Sequence, residues 1–381
     1  MSTTDPTMSR VGGDTPTPSA TSADSDRDRA IRRAKIEEAV LPPLVALLLA
    51  AVVGDVLILS FGQSPGAVYR LLLDGTWGNA YGFGQVLYKA TTLVFTGLAV
   101  GLGLRAGLFN IGAESQLAAG GFCAALVGLL LPVGIPALLC LPIYLLAAAL
   151  GGGVVGAVPG VLKARFGAHE VIVTIMLNFI VLALLNYLTS ARLHVPDTLH
   201  TAEIGSGALP RISDVVPSFQ GSAANATILL AVLAALVFGW FLFRTRRGFE
   251  LRAVGLQPHA AEYAGVNVGS VTWRALAISG AIAGIGGLNY VLGYKHYYEE
   301  GFATGAGFLG IAVALVGRSH PIGICLAALL FATLSQGGLA VNALVPKQMV
   351  DVLQAVVILA VATSVPEVRQ MLRGARRSAE R

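Results

Sequence analysis

The sequence predicts an all-α polytopic membrane protein with about ten transmembrane helices and both termini in the cytoplasm. Three observations carry that prediction. Of the 381 residues, 55% are hydrophobic and only 12% are charged, against roughly 25% charged in a soluble domain. The charge is uneven, because residues 1–38 hold 13 of the 47 charged side chains. Glycine is abundant, at 46 residues, and small residues are what closely packed transmembrane helices place at their contacts.

Residues 1–38 are rich in Ser, Thr, Asp, Pro and Arg and lack an apolar core. They read as a disordered cytoplasmic tail and not as a signal peptide. A span needs about 20 apolar residues to cross roughly 30 Å of hydrocarbon. Runs of that kind occur at 40–61, 88–105, 114–132, 135–161, 171–189, 226–243, 271–292, 307–318, 321–343 and 347–366. The first reads as an uncleaved span. The second and eighth are short or interrupted by glycine, so each reads as a broken or re-entrant element buried among neighbours. A transmembrane domain over 39–367 is followed by a basic tail at 368–381.

Even numbers of crossings place both ends on one side. With the N-terminus inside, 20 of the 26 Lys and Arg are cytoplasmic, and Arg70, Lys89, Arg192, Arg211, Lys295 and Lys347 are outside. That asymmetry sets the orientation. It also accounts for the net charge of +5, which in a soluble protein would have pointed to nucleic acid. Trp240 and Trp273 then lie at the cytoplasmic interface, where amphipathic rings concentrate. The largest outside segment is 190–225 and the largest inside one is 244–270, so a partner is expected on each face.

Glycines recur at four-residue spacing in Gly97/Gly101, Gly103/Gly107, Gly152/Gly156/Gly160 and Gly280/Gly284. Each set shares a helix face and permits close backbone approach, within the chain or between subunits. Cys123, Cys140 and Cys325 lie in apolar runs and read as small hydrophobes. No metal-ligand spacing and no resident cofactor are expected.

Two motif matches fail on context. Gly151–Gly156 fits a dinucleotide-binding glycine pattern but lies inside a span, where that motif needs a strand before it and a helix after it. Gly62–Gly66 fits a nucleophile elbow but follows a membrane helix, and reads as a turn at the outer interface. No G-x-x-x-x-G-K-[ST] occurs, so ATP hydrolysis of the Walker type must come from a partner.

Within 244–270, Pro258 suits the first position of a helix and Gly265 the position past its end. A short helix over 258–264 follows, with Ala260, Ala261 and Ala264 as a small, smooth side and basic flanks. Such a helix fits a groove on another protein; resting on the membrane interface is the alternative.

The run RAVGLQPHAAEYAGVNV from Arg252 to Val268, GLFNIGAESQ from Gly107 to Gln116 and GIAVALVGRSHP from Gly310 to Pro321 together resemble permease subunits of ATP-binding cassette importers. They are most similar to the branched-chain amino acid/ribose permease superfamily, in its nucleoside and simple-sugar branch, over about 40–370. Ser115 departs from that pattern, which commonly has glycine there, and its hydroxymethyl would narrow what the turn lines.

The resemblance implies a type II importer-like permease in a prokaryotic cell membrane. Its partners would be a second permease subunit, preferably a paralogue, two cytoplasmic ATPase subunits that bind ATP and Mg, and an extracytoplasmic binding protein. It also implies that 244–270 is the coupling segment, with docking contacts from Gly255, Pro258, Ala260, Ala261, Tyr263 and Gly265 and charged rim contacts from Arg252 and Glu262.

For the path itself, polar residues at membrane depth are candidates. Asn110, Glu114 and Gln116 sit beside the turn between the second and third spans, and Glu170, Thr174 and Asn178 share one face of the fifth. They offer the donors and acceptors that a sugar or nucleoside needs; bonds between helices are the competing reading. His169 beside Glu170 reads as a solvated cap. An ion-coupled carrier would want ionisable groups near mid-membrane, and Asp55 and Asp351 are the isolated candidates. An intramembrane enzyme would want a nucleophile–base or metal set, which the scattered histidines and cysteines do not form.

Overall fold

The computed structural model describes residues 48–303, 305–346 and 348–360. The expected tails at 1–38 and 368–381, and Lys347, lie outside the described residues. Helices account for the fold and no strand is present among the described residues. Seven helices are long and apolar enough to cross a membrane, or eight crossings with one bent pair counted as a span.

The bent pair is α1 (Leu48–Ser60) and α2 (Pro65–Thr76), set at 111°. Gly62 at φ 72° breaks the chain between them, and Pro65 opens α2 at its first position. Helix α3 (Ala80–Arg105) starts where the Asn79 side chain accepts from the Gly82 amide at 2.6 Å. It ends at Gly107, whose φ of 71° lets the chain reverse. Helices α4 (Ala113–Leu130), α5 (Ala137–Phe166), α6 (Glu170–Leu188) and α7 (Thr227–Arg244) follow. Helix α5 closes on Gly167 at φ 68°, with Lys163 and Arg165 in its last turn, where cations complement the helix dipole.

Two short helices, α8 (Arg246–Leu256) and α9 (Pro258–Tyr263), precede α10 (Val268–Gly286) and α11 (Leu288–Val291). The helix expected over 258–264 is α9, bounded by Pro258 and by Gly265 at φ 84°. Helix α8 was not anticipated. Helices α12 (Ala306–Val316) and α13 (Pro321–Ala340) follow, with α14 (Gln348–Ala360) last among the described residues.

Helix α12 has 11 residues, about 16 Å at 1.5 Å per residue, so it does not cross on its own as the eighth of ten full spans. Its start is set by Gly305, which at φ 82° ends an irregular stretch. The second expected span, by contrast, is an unbroken 26-residue helix.

The core seam is α5 against α10. A Cβ on Gly152 would lie 2.2 Å from the Gly280 carbonyl oxygen, and one on Gly156 2.3 Å from that of Leu276. Gly284 is enclosed on two sides, by Gly120 of α4 and Gly152 of α5. Backbones at this separation exclude any side chain and maximise dispersion contact. Gly97 and Gly101 likewise seat Val313 and Ile324 against α3. All four glycine sets expected from sequence therefore make contacts within the chain.

Two non-helical segments enter the bundle from opposite ends. Residues 106–112 leave α3 and run to the start of α4, and 292–303 follow α11 on the way to α12. Backbone at that depth is tolerated only where protein satisfies it. The segment 190–225 covers the second of them: the Thr201, Ile204 and Leu209 amides donate to Tyr298, His296 and Leu292 carbonyls at 2.8–2.9 Å. The Arg211 guanidinium adds a bond to the Tyr294 carbonyl at 2.6 Å.

Candidate functional site

The six polar residues singled out for the path stand around the first irregular segment. Asn110 is fully buried; its amide nitrogen donates to Gln116 Oε1 at 2.8 Å and to Ser279 Oγ at 2.7 Å. Its own oxygen accepts from the Gly112 amide at 3.0 Å and from Gln116 Nε2 at 3.1 Å. The Ser279 hydroxyl donates to the Ala99 carbonyl at 2.6 Å, tying α10 to α3. Asn178 reaches across from α6, accepting from the Ser115 amide at 3.2 Å and donating to the Ile111 carbonyl at 3.0 Å. Thr174 turns to its own helix, donating to the Glu170 carbonyl at 2.8 Å.

The Ser115 hydroxyl donates to the Gly112 carbonyl at 3.1 Å, so it closes its own turn. Glu114 has the most distinctive position. Its two carboxylate oxygens accept from the Gly305 amide at 2.5 Å and the Gly307 amide at 2.7 Å. The side chain thus caps α12 from α4, and a negative charge meets the positive end of that helix. The N-termini of α4 and α12 converge on this one carboxylate, deep in the fold and 4% exposed.

Glu170 accepts from the Phe109 amide of the first irregular segment and pairs with Lys163 at 2.5 Å, joining the ends of α5 and α6. Asp55 on α1 faces the Tyr69 hydroxyl of α2, and Asp351 on α14 is exposed. Cys123, Cys140 and Cys325 are free thiols.

The segment expected to dock a partner divides into an inner and an outer part. Pro258, Ala260, Glu262, Tyr263 and Gly265 are exposed, Tyr263 at 94%, beside Leu256 at 85%. Ala261 faces inward at 5%, so the smooth side expected of Ala260, Ala261 and Ala264 is split between two faces. Gly255, in the last turn of α8, packs on the end of α3, where a Cβ would sit 2.2 Å from the Arg105 carbonyl oxygen. Arg252 is half-buried, its guanidinium 5.4 Å from the centroid of the Phe243 ring.

Phe243 centres a cluster that sequence reasoning missed. Arg105 approaches the same ring at 5.9 Å, and His320 lies 5.7 Å away between ring centroids. Arg105 also donates to the Ser319 carbonyl at 3.0 Å and the Arg318 carbonyl at 3.2 Å. Arg318 and Ser319 both have left-handed backbone, at φ 54° and 49°, a conformation costly for residues other than glycine. Burial and the Arg105 charge hold the His320 imidazole below its ordinary pKa, which keeps a third positive charge out of the cluster. The signal available in the sequence was Arg105 two residues before Gly107, which reads equally as a topology marker. Charge-assisted bonds are worth about 1.5–3 kcal/mol. Arg105→Gln is therefore expected to lower the thermal midpoint of the detergent-solubilised protein by several degrees, and Arg105→Lys to recover part of the loss; an unchanged midpoint for Arg105→Gln would show the turn holds itself.

Residues 82–362 match the family described as Branched-chain amino acid transport system / permease component. The chain belongs to that family. It is a multi-pass protein of the prokaryotic cell membrane, the permease subunit of an ATP-binding cassette importer, and ATP hydrolysis is the work of partner subunits.

The permease is 40% identical to the guanosine ABC transporter permease protein NupP of Bacillus subtilis, over 85% of this chain and 93% of that one. It is 34% identical to the nucleoside ABC transporter permease protein NupB of Lactococcus lactis, over 85% and 90%. The glucose ABC transporter permease protein TsgB13 of Haloferax volcanii is 33% identical over 84% and 87%. Each of these three organisms supplies a second, more distant permease match, at 28%, 27% and 29% identity. No solved structure matches the permease.

Proposed function

We propose that this permease imports a nucleoside, delivered by an extracytoplasmic binding protein and driven by two ATPase subunits that dock on α9. The observation that carries the substrate class is the pair of relatives named for guanosine and nucleosides, at 40% and 34% identity. A simple sugar is the second substrate class, on the relative named for glucose. The second permease of the importer is a paralogue, a reading supported by the paired near and distant matches in each of three organisms.

In this reading both termini and α9 are cytoplasmic, and α12 together with the irregular segment before it makes one of ten passes through the membrane. The orientation is supported by the collection of Arg105, Lys163, Arg165, Arg244, Arg252 and Arg318 at the bundle end that carries α9, as the positive-inside rule requires. There Leu256 at the end of α8 and Tyr263 on α9 are strongly exposed, large side chains of the kind that anchor in a pocket on a partner. In this reading ATP-driven closure of the ATPases shifts α9. The Phe243 cluster and the Gly255 contact carry that shift into α3, α7 and the turn before α13.

The buried Asn110, Gln116 and Asn178 hold the irregular backbone open at depth, and Glu114 fixes the half-helix α12. With their bonds made inside the chain, these residues shape the path and leave substrate contact to surfaces shared with the companion permease.

The test is uptake of labelled guanosine, uridine, ribose and glucose in cells with and without the gene. Loss of nucleoside uptake, abolished also by ATP depletion with the ion gradient intact, is expected. Loss confined to sugars would overturn the substrate class, and uptake that survives ATP depletion would overturn the drive. Tyr263→Ala combined with Ala260→Glu is expected to reduce uptake at least tenfold at unchanged membrane abundance, because anchor truncation costs about 2 kcal/mol or more. Normal uptake by that variant would remove α9 as the docking element.

A further inference from the structure

A cleft of about 320 Å³ opens between α7, α8 and α10. Its polar end holds Arg247 and Glu250 of α8 and Arg274 of α10, and its apolar wall runs over Phe241, Val271 and Ile278. Glu250 is already engaged by Arg246 at 2.9 Å. Neither Arg247 nor Arg274 forms a salt bridge among the described residues; Arg274 lies over the Trp273 ring at 5.5 Å. Two arginines therefore line one space whose carboxylate, Glu250, is committed to Arg246.

The shape of that space gives the class of ligand. Val271, Arg274 and Ile278 lie on one face of α10, and the rise from Val271 to Ile278 is about 10 Å along the helix. Arg274 stands one turn past Val271, and beyond it the α10 wall is apolar at Ala275 and Ile278, about 6 Å further along the helix. Trp240 and Trp273 are exposed on α7 and α10 at the same level, as interfacial rings are. Phe249, 62% exposed on α8, gives that helix an apolar residue to rest on the same interface.

We propose that this cleft binds an anionic phospholipid of the cytoplasmic leaflet, its phosphate between Arg247 and Arg274 and one acyl chain along Ala275 and Ile278. Arginine forks match phosphate oxygens in pairs, and basic pockets between membrane helices favour such headgroups. A zwitterionic lipid brings its ammonium group against the same two arginines and is disfavoured. The leaflet rests on the orientation proposed above; the binding itself is read without reference to the transported substrate.

The test uses the full-length permease in vesicles, with and without its ATPase subunits, and reads tryptophan quenching by brominated phosphatidylglycerol against brominated phosphatidylcholine. Of the three tryptophans, Trp240 and Trp273 flank the cleft. Excess quenching by phosphatidylglycerol is expected, with a preference on the order of fivefold for each arginine. It should drop in Trp273→Phe, with the remainder read by Trp240, and fall to parity in the Arg247→Gln, Arg274→Gln double variant. Equal quenching by both lipids in the unaltered protein overturns the proposal, as does an excess that survives the double variant. So does an excess removed by millimolar inorganic phosphate, which marks a free-anion site, or by added ATPase subunits, which marks a protein-docking cleft. Should the double variant fail to fold, the unaltered protein and Trp273→Phe still decide.

Discussion

Glu114→Ala is expected to abolish uptake and to lower the thermal midpoint of the detergent-solubilised permease by the largest margin of any single polar substitution. The Gly305 and Gly307 amides would lose their acceptor in a dry interior, at about 1–3 kcal/mol each. The α12 N-terminus would also lose its compensating charge, worth up to about 2 kcal/mol in partly buried geometry. Against a total stability of about 5–15 kcal/mol that is a large fraction. Glu114→Gln keeps one acceptor oxygen and should fall between the two. Size-exclusion chromatography after stepwise heating reads both variants. A midpoint within a degree of the unaltered protein for Glu114→Ala would show that α12 is held by packing alone.

Gly280→Val is expected to prevent accumulation of folded permease in the membrane. A Cβ there would lie 2.3 Å from the Gly152 carbonyl oxygen and 3.0 Å from the Gly156 Cα. These are backbone atoms of a helix with no flexible end to yield, so α10 must separate from α5, and overpacking of this kind costs about 1–3 kcal/mol or more. Gly153→Ala is the control on the same stretch of α5, because its nearest neighbour is at 3.4 Å, an ordinary contact. Immunoblotting of membrane fractions should show Gly153→Ala at the normal level and Gly280→Val nearly absent. Equal levels would mean the seam adjusts more freely than its spacing allows.

The long helices were legible because apolar composition and four-residue glycine spacing are local properties. Gly152, Gly156, Gly280 and Gly284 announce a close seam without saying which helix faces which. Where α3 begins was hidden by Tyr81, Gln85 and Lys89, which lower hydropathy over the first turns even though Asn79 supplies the cap. Ser64-Pro65 reads as a turn, yet Pro65 opens α2, which at 12 residues is too short to register as a span. The irregular segments were illegible for a different reason. Asn110, Gln116 and Asn178 look like ligand groups, and only three-dimensional packing shows that their bonds go to backbone and to one another. In α9, six residues do not set a facing direction; the neighbours turn Ala261 inward and leave Tyr263 out.

The contact at Gly255 has a mechanical meaning. With carbonyl oxygens of α3 pressed against the α8 backbone, the two helices act as a single stiff body. Helix α3 spans 26 residues, about 39 Å, and at its far end Gly82 bears on the Gly75 backbone in α2. Force applied beneath α8 thus has a lever arm as long as the bilayer is thick. A rotation of a few degrees about its middle swings the α2 elbow by about an ångström on the opposite side, so a nanometre-scale machine needs no chain of small rearrangements to be felt across the membrane.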